Sequence, residues 1–375
     1  MIPVSATALS TKAKKYLAEC IDTSWISSEG EFVKKFETEF AKYLGVKHAI
    51  TVNSGTSALH VGLMSLGLKP GDEVILPAST IAACYFAIWY WGGVAVPVDV
   101  ELETYNIDPT LIEAAITPRT KAIMVVHLYG RPANMAAIQK IARKHKLIIL
   151  EDAAEAHGAE LNGKKVGGIG AVGCFSFYAN KLVTTGEGGA VVTNSDKIAA
   201  KIRSLKSMSR YKNFRFIHEA LGYSLNMSNL QAAVGLAQLE SVEDYIGRKI
   251  AMAQYYNQHL ANIPGLILPA DFTEGRQVYW MYAVRIETKK FGCSRDEFSR
   301  ILWEDHKIQT RPFFNAPRVA FKPMGKYQDR HFPVAEKIGR EGLYLPSGTG
   351  QTTDDFAKVV KTVKAIAKKV KQKSN

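Results

Sequence analysis

Lys181 lies in the stretch CFSFYANKLVTTGEGGAVVT, residues 174–193, between an aromatic run and a glycine-rich turn that leads into a second apolar run. Such neighbours are buried, and burial disfavours the charged form of an amine. A lysine kept partly neutral is a nucleophile and a base. Asp152 precedes it by 29 residues, at the end of the apolar run LIIL and its Glu151. A carboxylate at a strand end either caps the next turn or faces a ligand, because open α/β sheets bind ligands at the carboxyl ends of their strands. Further upstream, Asn53-Ser54-Gly55-Thr56-Ser57 opens a helical pattern. Amide N–H groups and hydroxyls at the positive end of a helix suit a phosphate, and Ser176 adds a hydroxyl from the lysine side. An amine, a carboxylate and a phosphate cradle together match pyridoxal 5'-phosphate. The lysine forms a Schiff base with its aldehyde, and the aspartate pairs with the protonated pyridine nitrogen.

A competing motif is Gly168-Ile169-Gly170-Ala171-Val172-Gly173, which matches the dinucleotide fingerprint GxGxxG. That fingerprint needs a strand before it and a helix after it. Here a turn-like NGKKV precedes and the strand CFSF follows, so a nicotinamide or flavin site is not expected.

The elements that must position these residues are legible as an α/β pattern. Ala122–Val126, Leu147–Leu150, Cys174–Phe177 and Ala190–Thr193 are short apolar runs bounded by turn signals, as buried strands are. Met135, Ile138, Ile141 and Ala142 recur at helical spacing between the first two, and a second helix is predicted from Thr56 through Met64. A mainly parallel sheet flanked by helices follows. A long helical region from Asn226 to Leu260 leads out of this large domain, assigned to residues 1–240, into a smaller α+β domain, residues 241–375. VYWMYAVRI and KIQTRPFF are expected as strands of the second domain and KVVKTVKAIAKKV as its closing helix.

The 375 residues carry a formal charge of +13, which invites a nucleic-acid reading. Seven lysines and no acid lie between Lys358 and Asn375, but Val359, Val360, Val363, Ile366 and Val370 form an apolar stripe among them. The lysines therefore belong to the outer face of an amphipathic helix, and neither a nucleic-acid nor a membrane partner is expected. No apolar run reaches the ~20 residues that span a bilayer, and the N-terminus lacks a charged-then-apolar signal pattern. Four scattered cysteines without a CxxC pair suit reduced thiols in the cytoplasm rather than disulfides or a zinc site, and no metal is expected.

NSGTSALH, KAIMVVHLYG, LEDAAEAHGA, FSFYANKLVTTGEGG, MSNLQAAVGLAQLE, TRPFF and LYLPSGTG together resemble the DegT/DnrJ/EryC1/StrS family of nucleotide-sugar aminotransferases over nearly the whole chain. The resemblance implies the type I fold of pyridoxal-phosphate enzymes, with a mainly parallel seven-stranded sheet, a small C-terminal domain and a homodimer whose active sites lie at the subunit interface. It implies amino transfer from L-glutamate to C4 of a nucleotide-linked 4-keto-6-deoxy sugar, with GDP-4-keto-6-deoxymannose the first candidate. A C3 aminotransferase and a UDP- or dTDP-sugar enzyme are the alternatives. Carried over by motif, Lys181 is similar to the Schiff-base lysine, Asp152 to the pyridine partner, and Glu155 to a residue near the phenolic oxygen. Gly55, Thr56 and Ser176 fall on phosphate-binding positions, and Trp25 and Arg311 in segments lining the substrate side. Two departures stand out. Ile81 replaces the aromatic ring that often stacks on the pyridine, and Ser224 and Asn226 replace the Asn and Arg of a G-x-N-x-R-M segment that reaches the neighbouring subunit's cofactor.

Overall fold

Runs of Val, Ile and Leu between turn residues form the strands of the large sheet, and all seven strands pair as such runs must when both faces are covered. In this computed structural model, which describes residues 1–210 and 216–374, they are β1 (His48–Val52), β2 (Glu73–Pro77), β3 (Val94–Val98), β4 (Thr120–Val126), β5 (Ile148–Asp152), β8 (Val172–Ser176) and β9 (Gly189–Thr193). The two-residue strands β6 (Glu160–Leu161) and β7 (Lys164–Lys165) form a small hairpin between β5 and β8. The order across the sheet is β1-β9-β8-β5-β4-β2-β3. β9 is antiparallel to both its neighbours and the other six strands run one way. Val126 pairs with Asp152, and Asp152 with Cys174, so three strand ends meet at one place.

Helices cover both faces. Gly55–Ser65 and Ala82–Trp89 pack with the sheet residues Val74, Met124, Leu150 and Val191 on one side. On the other, Glu31–Leu44 and Asn229–Leu239 bury Phe36, Phe40 and Leu236 against Phe175 and Phe177. Phe40 meets Phe175 and Phe177 edge-on, at 5.0 and 5.3 Å between ring centres. Such pairs add ~0.5–1.5 kcal/mol each beyond the area they bury.

A second sheet, β10-β12-β14-β13, is built from β10 (Leu266–Ile267), β12 (Tyr282–Ile286), β13 (Arg311–Pro312) and β14 (Gly342–Leu345); the pair β11 (Gly275–Arg276) instead joins the β6–β7 hairpin. Its core holds Tyr256, Tyr282, Val284, Phe298, Val363 and Ile366, and Ile2 near the N-terminus joins it by pairing with Ile308. Only two residues of the expected strand KIQTRPFF are in the sheet, at its edge, where Pro312 is tolerated because its nitrogen faces away from β14. The expected helical region breaks at Ser241 into Asn229–Leu239 and Val242–Leu260. In the closing helix, Thr353–Ser374, the stripe Val359, Val360, Val363, Ile366 and Val370 is buried and Lys358, Lys361, Lys364, Lys368, Lys369 and Lys371 are exposed. Among the described residues no helix is long and apolar enough to cross a membrane.

The GxGxxG loop already has its anion. The Glu151 carboxylate accepts the N–H groups of Gly167 and Ile169, both at 2.7 Å, and of Gly170 at 2.5 Å. Gly173 has no room for a side chain, since a Cβ there would lie 1.9 Å from the Gly167 carbonyl oxygen. His127 Nδ1 accepts the Ala133 N–H at 3.1 Å, so Nε2 carries the proton and donates it to Glu151 at 3.0 Å. Both side chains are fully buried. Glu151→Ala would leave these donors without a partner, and we expect it to lower unfolding free energy by ~3 kcal/mol or more in denaturant titrations.

Candidate active site

The twelve residues from Phe177 to Gly188 connect β8 to β9 and carry Lys181 back over the end of β5. The connection is tied down at its neck, where the Phe177 N–H donates to the Gly188 carbonyl at 2.8 Å and the Thr185 N–H to the Phe177 carbonyl at 2.9 Å. Lys181 enters a cavity of about 630 Å³ whose lining includes Gly55, Thr56, Ile81, Asp152, Glu155, Ser176, Lys181, Trp280 and Arg311. Its Nζ is 3.7 Å from Glu155 Oε1 and 3.7 Å from the centre of the Trp280 ring. Burial lowers the pKa of Lys181, and the nearby carboxylates of Glu155 and Asp152 pull it partly back up. Burial thereby favours the neutral amine, the form able to attack a carbonyl.

Asp152 is buried at the end of β5. Its Oδ1 accepts the Ala154 N–H at 3.0 Å, and Cys84 Sγ donates to Oδ2 at 3.1 Å. Cys84 Sγ also lies 3.2 Å from Thr80 Oγ1, and burial raises the pKa of this thiol well above its ordinary value. Among the described residues no cation lies within ion-pair distance of the Asp152 carboxylate. A buried carboxylate in that position fits a protonated ring nitrogen, which would supply the missing charge. Glu155 Oε2 accepts the Tyr129 N–H at 2.8 Å. Burial raises the Glu155 pKa to about 7, against the opposing pull of Lys181 and of that hydrogen bond.

The helix Gly55–Ser65 starts at the cavity. Ser54 caps it, its Oγ accepting the Ser57 N–H at 3.1 Å. The Gly55 and Thr56 amides come earlier still, where a helix offers no internal partner. Gly55 is pressed against β8: a Cβ would lie 2.6 Å from Ser176 Cβ. Two amides, the Thr56 and Ser176 hydroxyls and the helix dipole make a cradle that fits the phosphate of pyridoxal phosphate.

Of the residues singled out in the sequence, Gly55, Thr56, Ile81, Asp152, Glu155, Ser176, Lys181 and Arg311 come together here. Ile81 caps the helix Ala82–Trp89 and is 43% exposed. Trp25, Ser224 and Asn226 do not line this cavity. Trp25 is 57% exposed, Ser224 is exposed, and Asn226 Oδ1 accepts the Ser207 hydroxyl at 3.0 Å. Sequence reasoning missed Trp280, which reads as strand core within VYWMYAVRI, and Cys84, which reads as one of four unremarkable thiols. It also missed the aromatic wall formed by Phe313, Phe314, Phe321 and Tyr344. The doubled Phe after Arg311 was the available signal for that wall.

Glu155 links the site to pH. A carboxyl whose pKa rises from 4.5 to about 7 on folding contributes stability that is complete below about pH 4.5 and lost as pH rises to about 7. Glu155→Gln cannot ionise. The unfolding free energy of the cofactor-free chain, relative to this variant, is expected to fall by ~1–3 kcal/mol across that window and to level off above it, read from urea titrations at a series of pH values.

With this geometry in view, likeness to known proteins has a physical meaning. Over 360 residues the chain is 42% identical to the GDP-perosamine synthase of Caulobacter vibrioides, covering 96% of each chain. It superposes on the crystal structure of S. venezuelae DesV with a TM-score of 0.89 and 35% identity, covering 95% of this chain and 94% of that one. On ntda from Bacillus subtilis, solved with bound cofactor PMP, the TM-score is 0.85 and the identity 29%, over 95% of this chain and 81% of that one. The sequence pattern of the DegT/DnrJ/EryC1/StrS aminotransferase family matches residues 8–364. The chain thus belongs to the DegT/DnrJ/EryC1/StrS family and is a pyridoxal-phosphate-dependent aminotransferase.

Proposed function

We propose that the protein moves an amino group from L-glutamate to C4 of a nucleotide-linked 4-keto-6-deoxy sugar, with GDP-4-keto-6-deoxymannose as substrate and GDP-perosamine as product. The observation that carries amino transfer is the buried Lys181 amine, held in one cavity with a buried carboxylate that has no cation beside it and a helix N-terminus. The choice of sugar and of GDP rests on the likeness to the Caulobacter enzyme.

Pyridoxal phosphate, when bound, supplies an aldehyde for the amine and a ring that takes up the electron pair left by a departing proton. Asp152 would hold the proton on the ring nitrogen. The Gly55 and Thr56 amides and the Thr56 and Ser176 hydroxyls would bind the phosphate, and Ile81 would give the ring an apolar contact. Glu155, whose Oε1 is 3.7 Å from the amine, would serve the ring's phenolic oxygen. Lys181 is both the anchoring nucleophile and the base, its Nζ taking up and returning the proton at the carbon that bears nitrogen. Arg311 faces the substrate side of the cavity and offers a fork for a carboxylate or phosphate.

Trp25, Ser224 and Asn226 belong, in this reading, to a homodimer in which each subunit completes the other's site, with Ser224 and Asn226 turned to the partner's cofactor and Trp25 to its substrate. Ile26, Leu221 and Phe216 are large apolar side chains left at least half exposed on one subunit, as a surface covered by a second copy is. The enzyme would serve glycan or O-antigen synthesis in the cytoplasm.

The purified enzyme is to be incubated with glutamate and a panel of 4-keto and 3-keto GDP-, UDP- and dTDP-sugars, the products being identified by mass and NMR. The expected product is the C4 amine of the GDP sugar; amination at C3, or of another nucleotide sugar only, overturns the assignment. Lys181→Ala is expected to lose turnover by ~10³-fold or more, together with the yellow colour of the loaded enzyme. Retention of both would remove Lys181 from its role.

A further inference from the structure

Lys249 lies on the helix Val242–Leu260, outside the cavity lining, and is buried. Its Nζ donates to the Trp280 carbonyl at 2.6 Å and also to the Ser347 carbonyl. Among the described residues no carboxylate pairs with it, and burial alone lowers its pKa to about 7. A methionine would fill the same space without the cost of burying an amine, so the polar group calls for a reason.

The reason lies at Trp280. One end of this residue is held by Lys249 through the main chain. The other is held by the indole Nε1–H, which donates to the Asn180 carbonyl at 2.9 Å, one residue before Lys181. Gly130 closes in from behind, where a Cβ would lie 2.8 Å from Trp280 N. With both ends fixed, the indole face meets Lys181 Nζ at 3.7 Å from the ring centre. A cation over an indole face is stabilised, more so when water is excluded.

We propose that Lys249 is a positioning residue for Lys181. It acts through Trp280, fixing the indole face against the reacting amine and thereby setting the share of that amine held as ammonium. The inference rests on Lys181 being the reacting amine of the proposed function. Glu155, Asp152 and Cys84 also act on the charge of Lys181, and His157 lies close enough to feel it; none of these four is altered in the test.

The test is competitive labelling of the cofactor-free full-length chain with acetic anhydride between about pH 7 and about pH 11, with Lys181 followed by mass spectrometry. Trp280→Leu removes the ring face and is expected to shift the Lys181 profile down by about one pH unit. Lys249→Met should shift it the same way, and Lys249→Gln, which keeps N–H donors, by less. Neither should shift it further in the Trp280→Leu background, since both act through the indole. The proposal is overturned if Lys249→Gln or Lys249→Met moves the profile in that background, or if both leave the wild-type profile unchanged while lowering the melting temperature. Should Lys249→Met not fold, Lys249→Gln decides alone. The labelling reads the amine whether or not a sugar is turned over, so failure here leaves the amino-transfer reading standing, and the product assay judges that reading separately.

Discussion

Lys181 Nζ has an aromatic face on one side, a carboxylate oxygen on another, each at 3.7 Å, and little water around it. Three influences of opposite sign meet on this one amine. Burial favours the neutral form, while the carboxylates and the indole favour the charged one. A charged amine can neither attack nor take up a proton, whereas a neutral one can do both and return the proton it has taken. The architecture holds these contacts from three directions. The neck at Phe177 and Gly188 anchors the lysine, the end of β5 anchors the acid side, and the second sheet brings in the tryptophan.

The antiparallel strand β9 is the device that makes this possible. In an all-parallel sheet the chain leaving β8 would cross over through a helix and return at the far end. Here it turns back directly, so the connecting loop stays above the strand ends where Asp152 lies. The loop lysine and the strand-end aspartate thus line one cavity although 29 residues separate them.

Much of this was legible in the sequence because it is local. Apolar runs between turn residues gave four strands of the large sheet to within about two residues, and the Ser-Gly-Thr start of a helix marked the cradle. The odd company of Lys181 pointed to its burial, and it does lie in the cavity wall. What could not be read is long-range. Trp280 sits in a run that looks like strand interior, and only tertiary packing turns its face to a lysine 99 residues earlier. Cys84 and Lys249 carry no motif, and only the fold brings one to Asp152 and the other to the Trp280 carbonyl.

Glu151 and Asp152 are consecutive on β5, so their side chains leave opposite faces of the sheet. One is consumed inside the protein, closing the glycine loop; the other lines the cavity. Sliding β5 by a single residue against β4 and β8 would exchange them, turning the structural acid into the site and the site acid into the loop. The alignment of this strand therefore encodes function as well as packing, and no conservative replacement of either carboxylate could compensate for its loss.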